Sequence, residues 1–71
     1  MSFKRQKVLA ALLREGLTIL RDTGPHTIVG RAGGGGVRAS VPRHKELDRH
    51  TVRAIAKELG LDWDKFHKDV R

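Results

Sequence analysis

The run Gly33-Gly34-Gly35-Gly36 is the strongest constraint on how this chain can fold. Four consecutive glycines lose too much backbone entropy on ordering to hold a helix or strand, so the spacing predicts a mobile loop. Both flanking segments favour extended backbone. His26 to Arg31 is β-branched in its middle, and Val37 to Val41 alternates Val37, Ala39 and Val41 against Arg38 and Ser40. Two strands joined through glycines read as a hairpin with the glycines at its tip. A phosphate-cradling loop is the other use of such a run. The Lys-Ser or Lys-Thr that a P-loop requires does not follow, and no helix opens there, so that use is excluded.

The rest of the chain divides around this hairpin. From Lys4 to Glu15, Val8, Leu9, Leu12 and Leu13 form one apolar stripe, with Lys4, Arg5, Lys7 and Arg14 outside it, and Gly16 stops the helix. Leu17 to Arg21 reads as a short strand, and Asp22-Thr23-Gly24-Pro25 as a chain reversal. Pro42 ends the third strand. Arg43 to Arg49 reads as a polar loop anchored by Leu47. A second helix runs from Arg49 to Leu59, with Val52, Ile55, Ala56 and Leu59 on one face, Asp48 as N-cap and Gly60 as stop. Asp62 caps a short last helix through about Lys68, whose Trp63 and Phe66 either pack on the core or stack on bases.

The expected order is therefore α-β-β-β-α with a short C-terminal helix, in one domain spanning 1–71. Hairpin-length connections favour an α+β fold: a three-stranded antiparallel sheet with two helices on one face, the topology of double-stranded-RNA-binding domains. Such a fold leaves the sheet face carrying Arg38 and Ser40 uncovered. Cys is absent, so no disulfide or thiolate metal site can help, and the core must come from aliphatic packing. No apolar run approaches the roughly 20 residues of a membrane span, and no signal-peptide pattern follows Met1, so a cytoplasmic location without a membrane partner is expected.

Charge narrows the function. Fifteen Lys and Arg against eight acids give a net charge of +7. The excess lies in the body of the chain, whereas the segment from Glu58 onward carries more acids than bases. A positive body suits a polyanion, because each phosphate contact releases counterions. Arg43, Lys45, Arg49, Arg53 and Lys57 form the densest basic stretch, and Arg49, Arg53 and Lys57 recur at i, i+4 on one helix face. With Arg38 on the open sheet face, these are the candidate RNA-binding residues.

Several local patterns then coincide. A helix ending Leu12-Leu13-Arg14-Glu15-Gly16-Leu17 precedes Arg21-Asp22-Thr23-Gly24-Pro25-His26. Val41-Pro42-Arg43-His44 follows, and then Thr51-Val52-Arg53-Ala54-Ile55 in a helix that stops at Gly60-Leu61. In this order and spacing, from about Val8 to Phe66, the chain resembles the HicA family of toxin ribonucleases (mRNA interferases). The family pattern is a Gly-Ser-His turn, Val-Pro-x-His, then Gly-Thr-Leu-x-x-Ile before a second Gly. Two positions depart from it: Pro25 stands where the family has Ser, and His50 where it has Gly.

The resemblance implies a toxin endoribonuclease that cleaves mRNA and is neutralised by a HicB-type antitoxin. It places His26 at the family's catalytic position, on a turn set by Gly24 and Pro25. Histidine suits that task, since its unperturbed pKa of about 6.5 allows it to act as base or acid near neutrality. Without the resemblance, the residue alone favours reading His26 as a surface histidine at a strand start. His44 is a candidate assistant or phosphate contact, because hairpin pairing brings the end of strand three beside the start of strand two. The four His lack short His-x-x-x-His spacing and an accompanying carboxylate set, so no metal and no cofactor is expected. A non-catalytic RNA-binding module and a protein-interaction domain with a basic face are the alternatives.

Overall fold

A computed structural model describes residues 2–33 and 36–70 of the chain. Its elements are β1 (Ser2–Lys4), α1 (Arg5–Arg14), β2 (Leu17–Thr23), β3 (His26–Arg31), β4 (Arg38–Pro42), β5 (Glu46–Asp48), α2 (Arg49–Glu58) and α3 (Trp63–Val70). Strands β2, β3 and β4 form an antiparallel sheet in that order. The expected three-stranded α+β core is therefore present. The centre of the expected glycine tip, residues 34 and 35, lies outside the described residues.

The core forms where the apolar stripes meet. Val29, Ala39 and Val41 point from the sheet toward Val8, Ala11 and Leu12 of α1 and Val52, Ile55 and Ala56 of α2. Helix α3 adds Phe66 and Val70, both 1% exposed, and packs on α1 and α2. Burying each of these larger side chains contributes about 1.5–3 kcal/mol. Helix α2 starts as its sequence requires: the Asp48 carboxylate accepts the Thr51 backbone N–H at 2.7 Å. That bond holds the Asp48 carboxyl below its usual range.

Three corrections to the sequence reading bear on the site. Glu46–Asp48, read as loop, is a strand paired with Ser2–Lys4, and Phe3 lies opposite Leu47. Leu47 anchors this segment, but by pairing as well as by burial. Strand β2 continues past Arg21 to Thr23, because Asp22 and Thr23 pair with Thr27 and His26. The reversal is thus two residues long, Gly24 and Pro25. Gly24 has φ +75° and Pro25 cannot adopt positive φ, so the turn is of the II′ type, whose twist matches the strands it joins.

The third correction is a bulge. The β2–β3 register slips between Ile19 and Arg21, leaving Leu20 as an extra residue. Strict alternation would put Arg21 on the same face as Leu17. After the bulge it lies opposite Ile28, on the open face of the sheet.

Candidate active site at the rim of the sheet

His26 is the first residue of β3, pairs with Thr23 across the turn and with Pro42 on β4, and is exposed. Alternation along β3 sends Thr27 and Val29 into the core, so His26 and Ile28 share the open face. The turn therefore delivers the imidazole to the sheet rim, where a polymer can approach it.

Behind His26 runs a chain of four side chains. Arg5, the first residue of α1, donates through Nε to the Pro42 carbonyl at 2.9 Å and through Nη2 to Thr27 Oγ1. The Thr27 hydroxyl donates in turn to Asp22 Oδ1 at 2.8 Å. Asp22 Oδ1 also accepts from Arg43 Nη2, and Arg43 Nε donates to the Gly24 carbonyl at 2.8 Å. The chain thus grips the backbone on both sides of His26, at the turn before it and at its cross-strand partner.

Thr27 is 0% exposed, a polar side chain in an otherwise apolar layer. Its hydroxyl accepts one bond and donates the other, which avoids the roughly 1–3 kcal/mol cost of an unsatisfied buried group. The Thr27 hydroxyl, and then the Arg43 guanidinium, hold the Asp22 carboxyl below the usual carboxylate range, so this carboxylate is charged when it meets Arg43.

The other sequence-read residues fall into separate groups. His44 follows Pro42 by two residues and lines a groove with Ser2, Glu46, Asp48 and Thr51, where the Ser2 hydroxyl donates to Glu46 Oε1 at 2.6 Å. Arg43 thus reaches the turn that carries His26 and is already engaged there, whereas His44 faces this groove at the β1–β5 ladder. The Lys45 carbonyl accepts the Arg5 backbone N–H at 3.0 Å, and its side chain is exposed. Arg38 is exposed on the open face, on the far side of Ser40 from His26.

Arg49, Arg53 and Lys57 lie on α2, in the helical layer that packs against the sheet's other face. They do not share a face with His26. The guanidinium groups of Arg49 and Arg53 each sit 6.0 Å from the centroid of Trp63, a cation–π arrangement. The Trp63 ring also stacks on His67 at 5.4 Å and meets the edge of Phe3 at 6.2 Å. Half-buried Trp63 is thus occupied on several sides, and Phe66 is core.

The sequence reading missed this relay: Arg5 read as a basic residue that could extend the RNA-binding footprint and Asp22 as a turn former, and Thr27 was given no role. A two-residue turn would have placed Asp22 directly opposite Thr27, which is a legible hint. Nothing in the sequence announces that Arg5 reaches them from another element. Among the described residues, no three His, Asp or Glu side chains converge as a metal site would require. None of their helices is long and apolar enough to cross a membrane.

No curated protein matches the chain. The family model for the HicA toxin of bacterial toxin–antitoxin systems matches residues 5–61, which begins at Arg5 itself, takes in the sheet, the His26 turn and α2, and ends before α3. A match over most of the chain, carried on the same fold that presents His26, means that this protein belongs to the HicA toxin family.

Proposed function

We propose that this toxin is an endoribonuclease that cleaves mRNA without a metal, with His26 carrying the proton transfer. The observation that carries the reading is the exposed His26 on a turn whose backbone is gripped through Arg5, Thr27, Asp22 and Arg43. Proton transfer demands an accessible ring on a fixed support, and an exposed His26 whose flanking backbone is held on both sides supports this reading.

In the reaction, the 2′-OH of the substrate attacks the adjacent phosphorus and the 5′-oxygen leaves. His26 takes the 2′-OH proton or donates one to the leaving oxygen. His44 serves as the second group or as a phosphate contact, with Lys45 nearby. Arg43 adds positive charge where negative charge develops on the phosphate. Arg38 on the open face and Arg49, Arg53 and Lys57 on α2 hold flanking phosphates. A HicB-type antitoxin neutralises the toxin by covering the basic surface. The protein acts in the cytoplasm, where its substrate is found.

Pro25 supports a second reading. It supplies neither the hydroxyl nor the backbone N–H of the family's Ser, so an RNA-binding module that does not cut is the alternative. Product analysis separates the two. Incubation with single-stranded RNA in EDTA should yield fragments ending in 2′,3′-cyclic phosphate and beginning with 5′-OH. Bound but intact RNA at high protein concentration would select the alternative.

A further inference from the structure

The open face of the sheet carries a second feature beside His26. Leu20, the bulge residue, is 45% exposed, and with Ile28 it forms an apolar floor. Arg21 and Arg38 wall a groove of ≈ 570 Å³ around that floor. Gly30 makes the floor low. A Cβ there would lie 2.7 Å from Leu20 Cδ1 and 2.6 Å from the Val37 carbonyl oxygen, so only glycine lets Leu20 lie down over the strand.

Position and charge say what this groove takes. Ile28 is two residues from His26 on the same face, about 7 Å along the strand, so the groove adjoins whatever phosphate sits at His26. The described open-face residues of the three strands include two arginines, Arg21 and Arg38, and no acid. A flat apolar floor between guanidinium planes fits a nucleobase: the ring stacks on aliphatic or guanidinium surface, and its phosphates meet the arginines.

We propose that Leu20 and Ile28, walled by Arg21 and Arg38, form a subsite for the nucleobase next to the phosphate held at His26, in single-stranded RNA. This rests on the ribonuclease reading above. The subsite makes the toxin sensitive to one base flanking the cleaved bond, although none of the described residues on this face is Phe, Tyr or Trp.

The test is cleavage of a short single-stranded RNA whose cut bond has been mapped with the native protein. Each nucleotide flanking that bond is then made abasic in turn, and kcat/KM is measured for the native protein, Leu20→Ser and Ile28→Thr. Leu20 is exposed and Ile28 half-buried, and two variants are used so that a folding defect in one does not decide the result. One abasic position should lower native kcat/KM about tenfold, the scale of losing a base stack. In both variants the intact RNA should be cut about that much more slowly, and the same abasic change should have almost no further effect. Cleavage with an equal abasic penalty in native and variant proteins would overturn the subsite alone, leaving the apolar pair as a protein-facing surface. Absence of any cleavage by the native protein would overturn the ribonuclease reading and the subsite with it.

Discussion

Arg5 and Arg43 near His26, and Arg49 and Arg53 beside Trp63, are four guanidinium groups in two contrasting settings. The first pair points its donors at fixed acceptors: the Pro42 and Gly24 carbonyls, the Thr27 hydroxyl and the Asp22 carboxylate. The second pair lies against an indole ring, a contact that uses the cation but not its N–H groups. The first arrangement fixes backbone. The second leaves donors free for an outside anion. Counting basic residues does not distinguish the two roles; the partners of each guanidinium do.

The sharpest way to break this contrast is at Thr27, the buried link of the first group. Thr27→Val leaves the Arg5 donor and the Asp22 acceptor short of a partner, so stability should fall by about 1–3 kcal/mol in denaturant titration. Cleavage should fall about 100-fold with RNA affinity nearly unchanged, because the imidazole is misplaced rather than lost. Thr27→Ser keeps the hydroxyl and should restore most of the rate. A Ser variant as slow as the Val variant would show that packing, not the hydrogen-bond relay, matters here.

A paired substitution compares the regions directly. Arg43→Lys keeps the charge but cannot bond Asp22 and the Gly24 carbonyl together, so kcat should drop about tenfold. Arg49→Lys should change kcat little. Equal effects would erase the distinction. Replacing Arg49 and Arg53 together by Ala should leave kcat at saturating RNA unaltered and make binding less salt-sensitive, lowering the slope of log K against log salt by about 2.

The smallest expected effect is on acid stability. The Asp22 carboxyl sits below its usual value in the folded protein, chiefly through the Thr27 hydroxyl and then Arg43. A lowered folded pKa means that its contribution is full above the unfolded value of about 3.9 and disappears as pH falls through the folded one. Asp22→Asn should therefore flatten part of the fall in Tm below about pH 4, without abolishing it, since Asp48 shifts in the same direction. An unchanged acid limb in this variant would show that Asp22 is not held by its partners in solution.

Much of the fold was legible because its periodicities are clean. The Val52, Ile55, Ala56 and Leu59 stripe, the Val37–Val41 alternation and the Asp48 cap each follow from local chemistry that the tertiary structure does not override. The errors arise where a distant segment decides the outcome. Glu46-Leu47-Asp48 is too short and polar to announce a strand, and becomes one because Ser2–Lys4 pairs with it. Arg21 changes face because of a bulge that no residue type signals. At the site, His26 was legible through motif and turn. Its support was not, because Arg5 reaches Thr27 across 22 positions of sequence.

The central claim, a metal-independent ribonuclease centred on His26, is tested most directly by incubating a long single-stranded RNA in EDTA with the native protein and with His26→Ala. The account predicts cleavage by the native chain, a loss of at least about 100-fold in the variant, and similar RNA affinity for both. Equal cleavage by the two proteins, or equal binding with no cleavage by either, would contradict it.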